Sequence, residues 1–304
     1  MRTRPQVLIA ALALAALTVA AGCGSNNNTS STGATLTAAS FSVQTDPSIA
    51  AQVPAKIKSS GELTVAADAT YAPDEFIGSD GKTVIGMDAD LAKAIAQLMG
   101  LKAVVSNQTF DSIIPGLAAG KYDLGMSSFT DTKEREKTVD FVTYATAGES
   151  FFVKADGGPT INSINDICGL KVGVEKGTTE ADDATAQSKK CTDAGKPAVS
   201  VSTFPDQAGA NVALSSGRVD AGFADTPVAD YAVKQSDGKF KLSPAPSIAN
   251  APYGIAMAKD SGLTQPVLAA IKALMADGTY GKIFDYWGLQ DDKITSPTIN
   301  GAID

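Results

Sequence analysis

The stretch "FDSIIPGLAAGKYDLGMSSFTDT", residues 110–132, and a later one, "FPDQAGANVALSSGRVDAGFADTPV", residues 204–228, decide the fold. Each runs as a short helix, a Gly-Lys or Gly-Arg turn, an aliphatic strand introduced by Asp, and a loop containing Thr. Each is half of a strand-helix repeat, and two such phrases describe equivalent units of two similar lobes. In the first, Asp111 opens the helix, Pro115 lies near its first turn and Gly120 ends it. Asp123 and Asp220, just after the turns, read as structural.

The rhythm continues on both sides. "GELTVAAD" is a strand ending at Asp68. "TVIGMDADLAKAIAQLMG" is a strand edge and then a helix with Leu91, Ile95, Leu98 and Met99 on one face, Asp88 placed to cap it and Gly100 closing it. "KAVVSN" is the next strand. Beyond residue 160 come the strand "GLKVGVEKG", a helix from about Thr179, the strand "AVSVSTF", a helix to Ser215, the strand "VDAGFA" and a helix from Pro227. "YGIAMAKD" and two closing helices complete the chain. Such alternation means α/β with mainly parallel sheets. Ligands of such sheets bind at the carboxyl ends of strands, and Asp68, Ser127 to Thr130, Glu175 to Thr179 and Asp225 all lie there.

Composition narrows the chemistry. The chain has 304 residues, 44% apolar and 19% charged, and a formal net charge of −8 without a long basic run. A nucleic-acid partner is excluded on charge. There is no histidine, so Ser-His-Asp and Cys-His catalysis and most catalytic zinc sites are excluded with it. No P-loop, GxGxxG or CxxC motif supports a nucleotide, and no cofactor or metal is implied.

Arg2 and Arg4, the apolar run "VLIAALALAALTV" and the small residues before Cys23 form a secretory signal, residues 1–22, too short in its apolar part to span a bilayer. "AAGC" resembles the bacterial lipoprotein processing site, in which the cysteine becomes the lipidated first residue. Ala20 stands where that site usually has Leu, and cleavage by the ordinary signal peptidase is the alternative. Residues 23–55 read as a polar, flexible tether. Cys168 and Cys191, an even pair in an exported chain, read as a disulfide, with buried free thiols as the alternative.

"DATYAPDEF", "GMDADLAKAIA", the 110–136 phrase ending in "KERE", "VGVEKGTT" and "DGTYGKIFDYWG" stand in the order and spacing of the bacterial extracellular solute-binding proteins of family 3, and the chain resembles that family from about Gly61 to Leu289. The resemblance implies a two-lobed periplasmic-binding-protein fold of type II, with a ligand cleft between lobes joined by two hinge strands near "GESFFVKAD" and "NAPYGIAMAKD". Residues 56–152 would form the first part of lobe 1, residues 153–250 lobe 2, and residues 251–304 the return to lobe 1. It further implies that Arg135 clamps a ligand α-carboxylate, with Ser128, Thr130 and Thr179 helping to hold the same group, and that Asp225 receives the α-ammonium. Tyr71 and Phe110 would sandwich the ligand body, with the pocket rim at Asp74 and Glu75 left open. From the residues alone, Arg135 could be one charge on a solvated face, Phe110 a helix staple, Asp225 a cap for the helix after it, and Tyr71 core.

The function implied is that of a monomeric receptor, exported and lipid-anchored or periplasmic, which binds a free amino acid and hands it to an ABC permease. The rival classes are a dehydratase-like enzyme on the same fold, with Glu175 as general acid, and a ligand sensor. The resemblance also implies that Asp68 stands where receptors for basic amino acids take the distal cation and Glu175 where the second lobe reads the side chain; two carboxylates beside two aromatics would favour a basic amino acid over a polar one such as glutamine. Against this, Asp68 could be a turn cap, and Lys176 could neutralise Glu175.

Overall fold

Two main hydrophobic cores, with three smaller clusters beside them, share one continuous sheet. The computed structural model describes residues 41–303. In chain order the first core receives α1 (Pro47–Gln52), α2 (Ala55–Ser60), β1 (Glu62–Ala67), the small sheet β2 (Thr70–Tyr71), β3 (Glu75–Ile77) and β4 (Val84–Ile85), then α3 (Met87–Leu98), β5 (Lys102–Asn107), α4 (Phe110–Ala118) and β6 (Leu124–Gly125). β7 (Val139–Lys154) leads into the second core, formed by β8 (Lys171–Glu175), α5 (Thr179–Asp193), β9 (Ser200–Phe204), α6 (Gln207–Ser215), β10 (Ala221–Asp225), α7 (Thr226–Gln235) and β11 (Phe240–Leu242). β12 (Ile248–Ala258) returns to the first core, which α8 (Thr264–Ala276) and α9 (Thr279–Trp287) close.

The sheet order is β5-β1-β6-β12-β7-β10-β8-β9. β1 is parallel to β5 and β6, and β8 to β9 and β10, as strand-helix repeats require. β7 and β12 are antiparallel and long, and they carry the chain between the lobes. Along β7, Val142, Tyr144 and Ala145 pack into the first core, while Phe151 and Val153 pack into the second.

The two equivalent phrases fold alike. Gly120 and Gly217 sit at φ +69° and +74° just past α4 and α6, where an L side chain would be strained. Asp123 then accepts from the N–H and hydroxyl of Thr64 on β1, and Asp220 accepts from the N–H of Lys171 on β8. Each acid ties its turn to the first strand of its own lobe.

Three expectations change. The tether read as reaching residue 55 ends earlier. Asp46 caps α1 through the N–H groups of Ser48 and Ile49, Val43 N–H donates to Gln97, and Ile49 and Val53 are buried in the first core. Widely spaced apolar residues in a polar segment hid this packing. Asp88 does not cap α3. The cap position is Gly86 at φ +126°, where a Cβ would lie 2.2 Å from the carbonyl oxygen of Asp74, and Asp88 is buried in the first turn, accepting from Ser128 N–H. Asp74 and Glu75 are wholly buried and form no rim. The signal and Cys23 lie outside the described residues. Among the described residues no helix is long and apolar enough to cross a membrane.

Candidate functional site

Strand ends from both lobes meet at one cavity. β1 delivers Asp68, the loop after β6 delivers Ser127 to Thr130, β8 delivers Glu175 and β10 delivers Asp225. The helix starts of α4 and α5 add Phe110 and Thr179. All nine residues predicted to contact a ligand, with Tyr71 and Arg135 among them, line this one space. Ser127 and Thr178, which fell within the strand-end stretches without an assigned contact, line it too, and so does Glu180, which was missed. Glu180 had a signal, because it follows Thr179 in the first turn of α5, but an acid there reads equally as a partner for the helix dipole.

The lobes meet through specific polar contacts. Tyr71 Oη donates to Asp225 Oδ2 at 2.9 Å and accepts from the Asp225 N–H at 3.1 Å. Arg135 Nη1 donates to the Thr130 carbonyl oxygen at 2.8 Å, and Nη2 reaches the Gly177 carbonyl oxygen in the other lobe at 2.9 Å. The hydroxyls of Thr130 and Thr179 are 3.4 Å apart. Lys176 pairs with Asp111 at 2.7 Å, so it does not neutralise Glu175. The cleft is closed.

Individual roles differ from simple expectation. The Arg135 guanidinium lies over Phe110 and Phe129, 5.4 and 5.6 Å from the ring centroids, and these rings stack at 4.5 Å. Phe110 is therefore a floor for the cation, not a staple. Ser127 and Ser128 donate their hydroxyls downward to Glu75 and Asp74. Thr178 caps α5 by accepting from Ala181 N–H. Asp225 makes no cap bond to α7; its carboxylate takes the Tyr71 hydroxyl. Asp68 accepts from the Thr70 hydroxyl and from Phe110 N–H, so it secures the start of α4 and lines the cleft at once.

Charge is the dominant feature. Asp68, Glu175, Glu180 and Asp225 line the cavity with Arg135 as its one cation. Burial lowers Arg135 from its ordinary value, opposed by the nearby Glu180 and Asp225. Burial raises Asp68, lifts Asp225 to about 7, and lifts Glu180 to about 8 with help from Asp225. Glu175 is pushed up to about 10 by burial and then by Asp68. A closed acidic cleft with a guanidinium at one end suits a zwitterion that carries an additional cation. Among the described residues no acid, cysteine or histidine cluster could hold a metal.

Two hinged lobes closing on a polar cleft define a solute receptor. The chain belongs to the bacterial extracellular solute-binding proteins, family 3, whose model matches residues 63–290. The arginine-binding protein ArgT of Corynebacterium glutamicum is 35% identical over 255 residues, which is 84% of this chain and 83% of that one. An ancestral arginine-binding protein, solved with arginine and also with glutamine, is 39% identical, with a TM-score of 0.68 and coverage of 75% of this chain and 98% of that one.

Proposed function

We propose that the protein is an extracytoplasmic receptor for a basic amino acid, arginine foremost, which it delivers to an ABC importer. The observation that carries this reading is the acidic lining of the closed cleft, four carboxyl groups and a single guanidinium, which a cationic ligand would help to ionise. Arg135, seated on Phe110 and Phe129, takes the α-carboxylate as a planar fork, with Thr130 and Thr179 beside it. Asp225 and Glu180, in the second lobe, take the α-ammonium. Asp68 and Glu175 take the distal cation. Because the two lobes contribute to the same ligand, binding favours the closed state, the form a permease recognises. The arginine-binding relatives support the same ligand class.

The chain acts by binding and not by turnover, works as a monomer, and is exported by its N-terminal segment and tethered through lipidated Cys23. Cys168 and Cys191, with Cα atoms 5.7 Å apart and joined sulfurs, form a disulfide suited to that compartment. Residues up to about 152 and from about 251 form lobe 1, with lobe 2 between them.

A competition screen tests the assignment. Thermal shift with each of the twenty amino acids is expected to show the largest stabilisation with arginine, then lysine, with the ligand recovered unchanged. Glutamate binding that arginine and lysine fail to displace would overturn it.

A further inference from the structure

Asp68 and Glu175 line the same closed cleft, one from each lobe, each only 2% exposed and each acting electrostatically on the other. Glu175 Oε1 is buried without a hydrogen-bond partner among the described residues. Asp68 receives only the Thr70 hydroxyl and the Phe110 N–H. The elements packed around the pair add further acids and no base: Glu75 from β3, Glu180 from α5 and Asp206 ahead of α6. The Tyr71 hydroxyl is bonded to Asp225, Lys176 turns outward to Asp111, and Arg135 is held by two carbonyl oxygens.

Two carboxyl groups that repel each other in one desolvated site resist ionising together, so the closed cleft favours a proton on the pair unless a cation offsets their charge. We propose that Asp68 and Glu175 form a proton-sharing pair, split between the lobes, whose protonation selects the charge of the ligand's side chain. With the proton kept, the pair can both donate to and accept from a neutral amide such as glutamine's. With the proton released to solvent, it is a double anion that clamps a guanidinium or ammonium. No other bond changes. The shift of Glu175 to about 10 is the electrostatic counterpart of this geometry. The inference rests on the amino-acid receptor reading.

The consequence is independent of how the empty receptor opens. The arginine complex holds one proton fewer than the glutamine complex, and the empty state cancels in the ratio of their association constants. The two ligands share the same α-groups, and a guanidinium stays charged throughout the accessible range. The arginine-to-glutamine affinity ratio therefore rises with pH, by up to about tenfold per unit, between the pair's pKa in the arginine complex and its pKa in the glutamine complex.

Calorimetric titration of the receptor with L-arginine and L-glutamine at pH 5, 6, 7 and 8 tests this. The expected ratio climbs with pH over that range, by about tenfold or more in all, and buffers of different ionisation heat show the two complexes differing by about one proton. In Glu175→Gln, and separately in Asp68→Asn, the ratio is expected to be independent of pH. A ratio that stays flat in the unmodified receptor, equal proton counts, a pH dependence surviving in both variants, or arginine binding at pH 5 without glutamine binding would each overturn the proposal. If neither ligand binds at any pH, the receptor reading itself has failed.

Discussion

Arg135 is held from several sides in the closed cleft. Two carbonyl oxygens take its N–H groups, two phenylalanine rings lie beneath it, and the carboxylates of Glu180 and Asp225 face it. Replacing it with alanine removes the one cation lining the cavity. The expected loss of arginine affinity is on the order of 2–5 kcal/mol, roughly thirtyfold or more. Affinity of Arg135→Ala within threefold of the parent, measured by calorimetry, would refute its role. Lys176 belongs to a different class. Its contact with Asp111 joins the lobes at an exposed position, with the lysine 64% exposed. Lys176→Ala is expected to speed ligand release only a few-fold, because exposed pairs contribute roughly 0–1 kcal/mol. Stopped-flow release rates check it, and a hundredfold change would show that the pair matters far more than its exposure allows. At this scale the sequence was informative where a family phrase set the register, as for Arg135, which does line the cavity. It was silent on partners. Nothing in "EKG" says that Lys176 turns away from Glu175 toward Asp111, because that choice depends on the distance between lobes.

Among the elements, the second lobe is pinned where its first helix begins and ends. Thr178 caps α5 at the cleft, and Cys191 near the other end joins Cys168, ahead of β8. A loop of 23 residues closed in the unfolded chain corresponds to about 3 kcal/mol in the entropy model. Cys168→Ala/Cys191→Ala is expected to melt lower by several degrees while keeping arginine affinity within a few-fold, since neither cysteine lines the cleft. Equal melting temperatures would show that the cross-link does not stabilise the fold. Regular elements were legible from periodicity: β5 matches "KAVVSN" residue for residue, and α5 begins at Thr179. β7 was not. Its sixteen residues were read only as a hinge near "GESFFVKAD", because one strand that serves two cores is buried almost throughout and shows no alternation. The short α1 escaped for the opposite reason, since its few apolar residues find their partners only in the folded first lobe.

For the whole molecule, closure brings together carboxyl groups that would ionise freely if the lobes parted. Burial raises Glu175, Glu180 and Asp225 far above ordinary carboxylate values, so the closed, empty form binds more protons than the unfolded chain. Its stability therefore falls as pH rises above about 4–5. Opening the cleft limits that loss by returning the acids to water. The melting temperature of the empty receptor is expected to decline between pH 5 and pH 8, and the rise produced by arginine is expected to be larger at pH 8 than at pH 5. A stability that increases over this range without ligand would contradict the electrostatic picture. The two-lobed plan itself was readable from two equivalent phrases. The closed state was not, because it depends on contacts such as Tyr71 to Asp225, between residues 154 positions apart. Titration calorimetry of the purified receptor with L-arginine at pH 7 is the most direct test of the central claim. The expected result is one site per chain with a dissociation constant on the order of micromolar or tighter, abolished by L-lysine competition and untouched by L-glutamate. Saturable glutamate binding with no heat from arginine would contradict it.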